Sequence, residues 1–177
     1  MTQTFLFPLF VYGTLKRGGQ YHQEFCRQSL EEGHLHIEPA TTKGRLYELP
    51  EGYPGFELPA EWVASLQLGS SNIQVDAQLA STQALEAQSL ELDYVQGELF
   101  IYTDLAAAQR DIQALDKMEG FFLDNLAGSL YHRVLVEVET QTVSQLCQAH
   151  QAYQWAWIYH YNRPHQGKRL KPALWEA

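Results

Sequence analysis

The chain has 177 residues, enough for one domain with a buried core. Its 45% hydrophobic and 19% charged residues exclude a disordered chain. A formal net charge of -9 argues against a nucleic-acid partner, which usually needs a basic face, while leaving open the charge of any single pocket.

The apolar run Phe5–Val11 is too short to span a bilayer and lacks the flanks of a signal peptide. It predicts a buried first strand, with Pro8 near its start where a missing N–H does least harm. No membrane association and a cytoplasmic location are expected. Cys26 and Cys147, the only cysteines, make neither a disulfide framework nor a zinc pattern, and reduced, partly buried thiols are expected.

After the strand comes a glycine-rich turn, Gly13 to Gly19, then a stretch from Tyr21 to Glu32 free of Gly and Pro. Gly33 is a natural stop for a short helix there. Gly44–Leu49 alternates like a strand and runs into the turn cluster Pro50–Gly55. Residues 69–93, rich in Ser, Gln and Ala, carry scattered leucines and read as an insertion, loop or surface helix, with no assigned role.

Tyr94–Tyr102 predicts a strand, and a helix follows from about Asp104, its N-cap, to Met118. Tyr131–Glu139 places His132, Val134, Val136 and Val138 on one side of a strand. Tyr153–Tyr161 places Tyr153, Trp155, Trp157, Tyr159 and Tyr161 on one side of another. The basic tail 163–177 is expected at the surface. No repeat or linker divides the chain, so residues 1–177 read as a single α+β domain with a mixed, curved or closed, barrel-like sheet and a few flanking helices.

One residue breaks the pattern. Leu105, Ala108, Ile112 and Leu115 recur every three or four positions along one helical face. The next position on that face is Glu119. At a helix C-terminus the macrodipole disfavours an anion, and burial disfavours it further. Both effects push the carboxyl toward proton exchange near neutrality. The bland alternative is that the helix ends before Gly120 and Glu119 turns outward. Asp116, off the stripe, is expected to face solvent or bond local backbone, and the direction of Glu98 is left open by strand alternation.

Val11-Tyr12-Gly13-Thr14-Leu15-Lys16-Arg17-Gly18 resembles the opening of the gamma-glutamylcyclotransferase-like family. Gly97-Glu98-Leu99-Phe100, Leu115-Asp116-Lys117-Met118-Glu119-Gly120 and Tyr131-His132-Arg133 resemble its second half, in the same order. The resemblance covers most of the chain except residues 69–93 and the tail. Tyr21 departs from the asparagine that relatives often carry there.

The resemblance implies that the amides of the loop Val11, Tyr12, Gly13, Thr14 and Leu15 hold a substrate's glutamyl end. It maps the catalytic glutamate onto Glu119 and a pocket tyrosine onto Tyr131. It implies cyclisation of a γ-glutamyl amide to 5-oxoproline, releasing an amine or amino acid, with no cofactor and no metal. The leaving amine and the oligomeric state stay open. Each residue also has a plainer explanation: a β-turn for the loop, an aromatic strand position for Tyr131, an ion pair with a neighbouring strand for Arg133. For His22 the choice is between a loop brace and a surface histidine. Two other functions compete. One is a non-catalytic binding module that keeps the pocket. The other is a metal enzyme using His34, His36, His150 or His160, disfavoured because no suitably spaced third ligand accompanies the first pair.

Overall fold

The computed structural model describes residues 5–63, 65–82, 92–140 and 153–176. In chain order the elements are β1 (Phe7–Val11), α1 (His22–Glu31), β2 (Leu35–Glu48), β3 (Pro54–Glu57), α2 (Ala60–Val63) and α3 (Ile73–Thr82). They continue with β4 (Asp93–Tyr102), α4 (Leu105–Met118), a 3-10 turn at Leu126–Gly128, β5 (Tyr131–Thr140), β6 (Tyr153–Tyr161) and β7 (Lys168–Arg169).

The strands β2, β4, β1, β6 and β5 are neighbours in that order, and β5 returns to β2 through the pairs Ala40–Thr140 to Thr42–Val138. The result is a closed five-stranded barrel. All its pairings are antiparallel except β1 with β6. β2 spends Leu35–Gly44 on β4 and its last four residues on β3, so it leaves the barrel wall to carry a second small sheet.

Alternation along the strands divides the core in two. Phe10, Val95, Leu99, Ile101, Val134, Val136, Val138, Ala156 and Ile158 form one buried cluster without any fully buried helix residue, the barrel interior. Phe7, Leu9, Val11, Phe100, Tyr131, Trp157, Tyr159 and Tyr161 turn the other way. They pack with Ala108, Ile112 and Leu115 of α4 and Ile73, Ala77 and Ala80 of α3. The aromatic side expected of β6 therefore faces the helices at Trp157, Tyr159 and Tyr161; the side chain of Tyr153 lies outside the described residues. Asp104 caps α4 as expected, accepting from the Ala107 amide at 2.9 Å.

Three expectations are corrected. The strand read at Gly44–Leu49 is the end of a 14-residue strand, and the turn cluster yields β3 from Pro54 onward. Within 69–93, α3 is a packed core helix with a charged residue, Asp76, fully buried in its face; residues 83–91 lie outside the described part. The tail is not simply surface. β7 pairs with β2, Ala173 is buried, and Leu170 and Trp175 pack on the interior cluster. Cys26 is buried and free, whereas Cys147 lies outside the described residues. No helix among the described residues is long and apolar enough to cross a membrane.

Candidate active site

Glu119 is the C-cap of α4, its amide still bonded to the Leu115 carbonyl at 2.8 Å. Gly120 follows in the left-handed region (φ 66°), where a residue with a side chain would be strained. The turn sends the chain back to β5 and leaves Glu119 on the inward stripe. The carboxyl is half-buried, and what remains open lines a cavity of about 370 Å³. The inward alternative is the one realised.

The same cavity is lined by Val11, Tyr12, Gly13, Thr14 and Leu15, and by Tyr131. The residues that the resemblance assigns to the site, Val11–Leu15, Glu119 and Tyr131, thus meet at one hollow. Tyr53, Tyr159, Gln20, Tyr21 and Glu51 complete much of its wall.

The loop after β1 is held from several sides. The Tyr12 hydroxyl donates to the Tyr159 carbonyl at 2.6 Å, and Tyr131 Oη donates to the Pro54 carbonyl at 2.7 Å. A Cβ on Gly13 would lie 2.5 Å from Pro54 Cγ, so only glycine allows this approach. His22, buried, contacts the Leu15 carbonyl through Nδ1 at 2.8 Å, which makes it a loop brace. Glu98 accepts from both the amide and Nε of Arg17, and Lys16 Nζ donates to the Trp175 carbonyl. Among the described residues, none accepts from the amides of Gly13, Thr14 and Leu15, while the carbonyls of all three are engaged. A bend with successive unbonded N–H groups is suited to an anion.

Burial, and secondarily the Asp116 carboxylate, push Glu119 up to about 8. Its other neighbours are phenols rather than cations: Tyr12, Tyr53, Tyr131 and Tyr159 all feel its charge. Burial raises each of these hydroxyls, so they stay protonated at neutral pH.

Asp116 is not the solvent-facing or locally bonded residue expected. It accepts from Arg133 Nε at 2.9 Å and Nη2 at 3.2 Å, and from the Tyr159 hydroxyl at 2.7 Å. Nor does Arg133 pair with a neighbouring strand. Fully buried, it reaches across to α4 and also to Asp76 of α3, at 2.7 Å. The sequence reading missed Asp76. The signal was present, because Ile73, Asp76, Ala77 and Ala80 lie on one helical face and a carboxylate interrupts it, as Glu119 does on α4.

Among the described residues no three His, Cys, Asp or Glu side chains come together as a metal site. His160 Nε2 is occupied by the Leu58 amide, and His150 lies outside the described residues.

The family model described as "Gamma-glutamyl cyclotransferase, AIG2-like" matches residues 9–88 and 83–177. The chain belongs to this family. No curated protein sequence matches it significantly. Similar solved structures include an AIG2-like protein from Mus musculus, with 17% identity, a TM-score of 0.49, and coverage of 88% of this chain and 77% of that one. An uncharacterised protein from Pyrococcus horikoshii shares 15% identity with a TM-score of 0.49, covering 95% of this chain and 88% of its own. Membership in the gamma-glutamyl cyclotransferase, AIG2-like family supports a cyclotransferase-like role.

Proposed function

We propose that the protein is a gamma-glutamyl cyclotransferase that converts a γ-glutamyl amide to 5-oxoproline and a free amine, with Glu119 as the general base. One observation carries this reading: a half-buried carboxyl with proton affinity near neutrality shares a cavity with the unbonded amides of Gly13, Thr14 and Leu15. The substrate's α-carboxylate rests on those amides. Its α-ammonium faces Glu119.

Glu119, ionised, takes one proton from the ammonium. The freed amine attacks the γ-carbonyl carbon, forming the ring C–N bond. The protonated Glu119 then returns its proton to the departing nitrogen as the original C–N bond breaks, and the same carboxylate takes the second proton from the ring nitrogen, which keeps one N–H, and passes it to the released amine, which leaves as an ammonium. Substrate and products balance without any other reactant. A base at about 8 lies close to the range in which α-amino groups titrate, around 8 or above, so the transfer runs nearly level in both directions. Because the nucleophile is tethered to the carbonyl it attacks, the protein's main task is to hold the folded conformer. The Tyr12, Tyr131 and Tyr159 side chains and the Pro54 backbone fix the shape of that mould.

The test is release of 5-oxoproline from a panel of γ-glutamyl amides by the protein and by Glu119→Gln. Loss of a general base is expected to lower kcat by roughly 10²–10⁴-fold with little change in KM. Undiminished release by Glu119→Gln would remove Glu119 from the chemistry. Saturable binding of γ-glutamyl compounds with no release from any of them would leave a binding module instead.

A further inference from the structure

Among the described residues, a fully buried cation takes no part in the cavity wall. Arg133 has no exposed surface and stands among the rings of Phe7, Phe121 and Trp157 at 5.3–5.9 Å. Its guanidinium is divided. Nη1 donates to Asp76 at 2.7 Å, Nε and Nη2 donate to Asp116, and Nη2 also donates to the Ser70 carbonyl at 2.8 Å. Asp76 has no exposed surface either and accepts further bonds from the Ser70 amide and hydroxyl.

One cation against two carboxylates leaves the cluster one negative charge in excess. Asp116, the member nearest Glu119 in sequence, lies one helical turn before it on α4. The titratable groups around Glu119 are Asp116 on its own helix, Tyr12 after β1, Tyr53 before β3, Tyr131 on β5 and Tyr159 on β6, and Tyr21 and Glu51 line the same cavity. None of them is a cation that would offset the excess.

We propose that Asp76 is a positioning residue for Glu119: by sharing the buried guanidinium it leaves Asp116 under-neutralised, and that residual charge keeps Glu119 ready to hold a proton. This rests on the reading of Glu119 as the base. It gives α3 a role in the chemistry although neither Asp76 nor Arg133 lines the cavity. In Asp76→Asn the amide oxygen can still accept from Arg133, so the shape is kept while the cluster becomes neutral. Asp116 then has the guanidinium's charge to itself, and Glu119 ionises more readily.

The experiment titrates Glu119 directly in the ligand-free protein by carboxyl carbon NMR, with the resonance assigned by its disappearance in Glu119→Gln. In Asp76→Asn the midpoint is expected to fall by about one pH unit, as removal of one charge a few ångströms beyond a first neighbour should produce at an effective dielectric constant of about 20. Asp76→Glu, which keeps the charge, is expected to stay near wild type. The acid limb of 5-oxoproline release should move with the NMR midpoint. An unmoved midpoint in folded Asp76→Asn overturns the proposal. If that variant does not fold, Asp116→Asn tests the last link of the same chain, and an unmoved midpoint there overturns it equally. Absence of any 5-oxoproline release would defeat the functional reading alone, because the NMR titration needs no substrate.

Discussion

Replacing Arg133 with methionine tests how the structure is held beneath the site. The variant keeps an unbranched side chain of similar reach between Phe7, Phe121 and Trp157, where a thioether packs well on rings. What it removes is the cation shared by Asp76 and Asp116, whose side chains are 0% and 19% exposed. Breaking a buried pair from one side costs roughly 3–5 kcal/mol, because the remaining charge stays buried without a partner. Two carboxylates share the loss, so the upper half of that range is expected. In a chain of this size each kcal/mol corresponds to about 2–4 °C, giving a fall in Tm of roughly 8–16 °C for about 4 kcal/mol.

The pH dependence supplies the sign. A buried carboxylate without its cation binds a proton more readily in the folded than in the unfolded chain. Its penalty is therefore relieved as the pH falls, and the deficit of Arg133→Met relative to wild type should shrink between pH 7 and pH 5. Urea unfolding at the two pH values, followed by tryptophan fluorescence, measures both effects. Adding Asp76→Asn and Asp116→Asn to Arg133→Met should recover most of the loss, since an uncharged, well-packed cluster is often as stable as the ion pair it replaces. A cost below about 1 kcal/mol, the size of an exposed pair, or a deficit that widens in acid, would refute a buried, shared guanidinium.

Two further outcomes follow from groups held away from their ordinary protonation. Burial lowers His160 to about 4, below its unfolded value of about 6.5. The neutral ring therefore contributes stability that is full above 6.5 and is lost as the pH falls toward 4, up to about 3 kcal/mol; His160→Gln should flatten this part of the stability–pH curve, as read by denaturant titration. Glu119 is shifted the opposite way, to about 8, so its ionisation weakens the fold as the pH rises from its unfolded value through 8. Glu119→Gln should be more stable than wild type at pH 8–9 and nearly equal to it at pH 5, measured by thermal unfolding.

The parts of the molecule legible in the sequence are those whose causes are local. The stripe Leu105, Ala108, Ile112 and Leu115 sets the face of α4, and the N-cap Asp104 sets its start. The alternation in β5 and β6 sorts valines into the barrel and aromatics toward the helices. The first half of β2 was not legible, since Pro39 sits within it and its burial alternates poorly; pairing with all of β4, not local preference, makes it a strand. The same limit applies to Asp116. Its offset from the apolar stripe describes helix geometry correctly, but only closure of the barrel brings Arg133, 17 residues later, and Tyr159, 43 residues later, against it. Asp76 is 57 residues from Arg133, in a segment whose small apolar face, Ile73, Ala77 and Ala80, gives little amphipathic contrast.

The last turn of α4 carries two carboxyls three residues apart, and their surroundings assign them opposite tasks. Asp116 receives a guanidinium and a phenol; these counter the burial that would otherwise neutralise it, and it is fixed in place. Glu119 receives neither and faces open cavity instead. A carboxylate satisfied by Arg133 would be a poor base, because the proton it must take would have to compete with a buried cation. One left without any partner in a filled core would be a defect. Glu119 escapes both conditions because it opens on a hollow that can admit a cation from outside, and under the proposed function that cation is the ammonium of a γ-glutamyl group whose carboxylate rests on the Gly13–Leu15 amides. The pairing that holds Asp116 and the absence of pairing at Glu119 are then parts of the same arrangement: the inner carboxyl shares the protein's own guanidinium with Asp76, and the outer one is left open to the cavity.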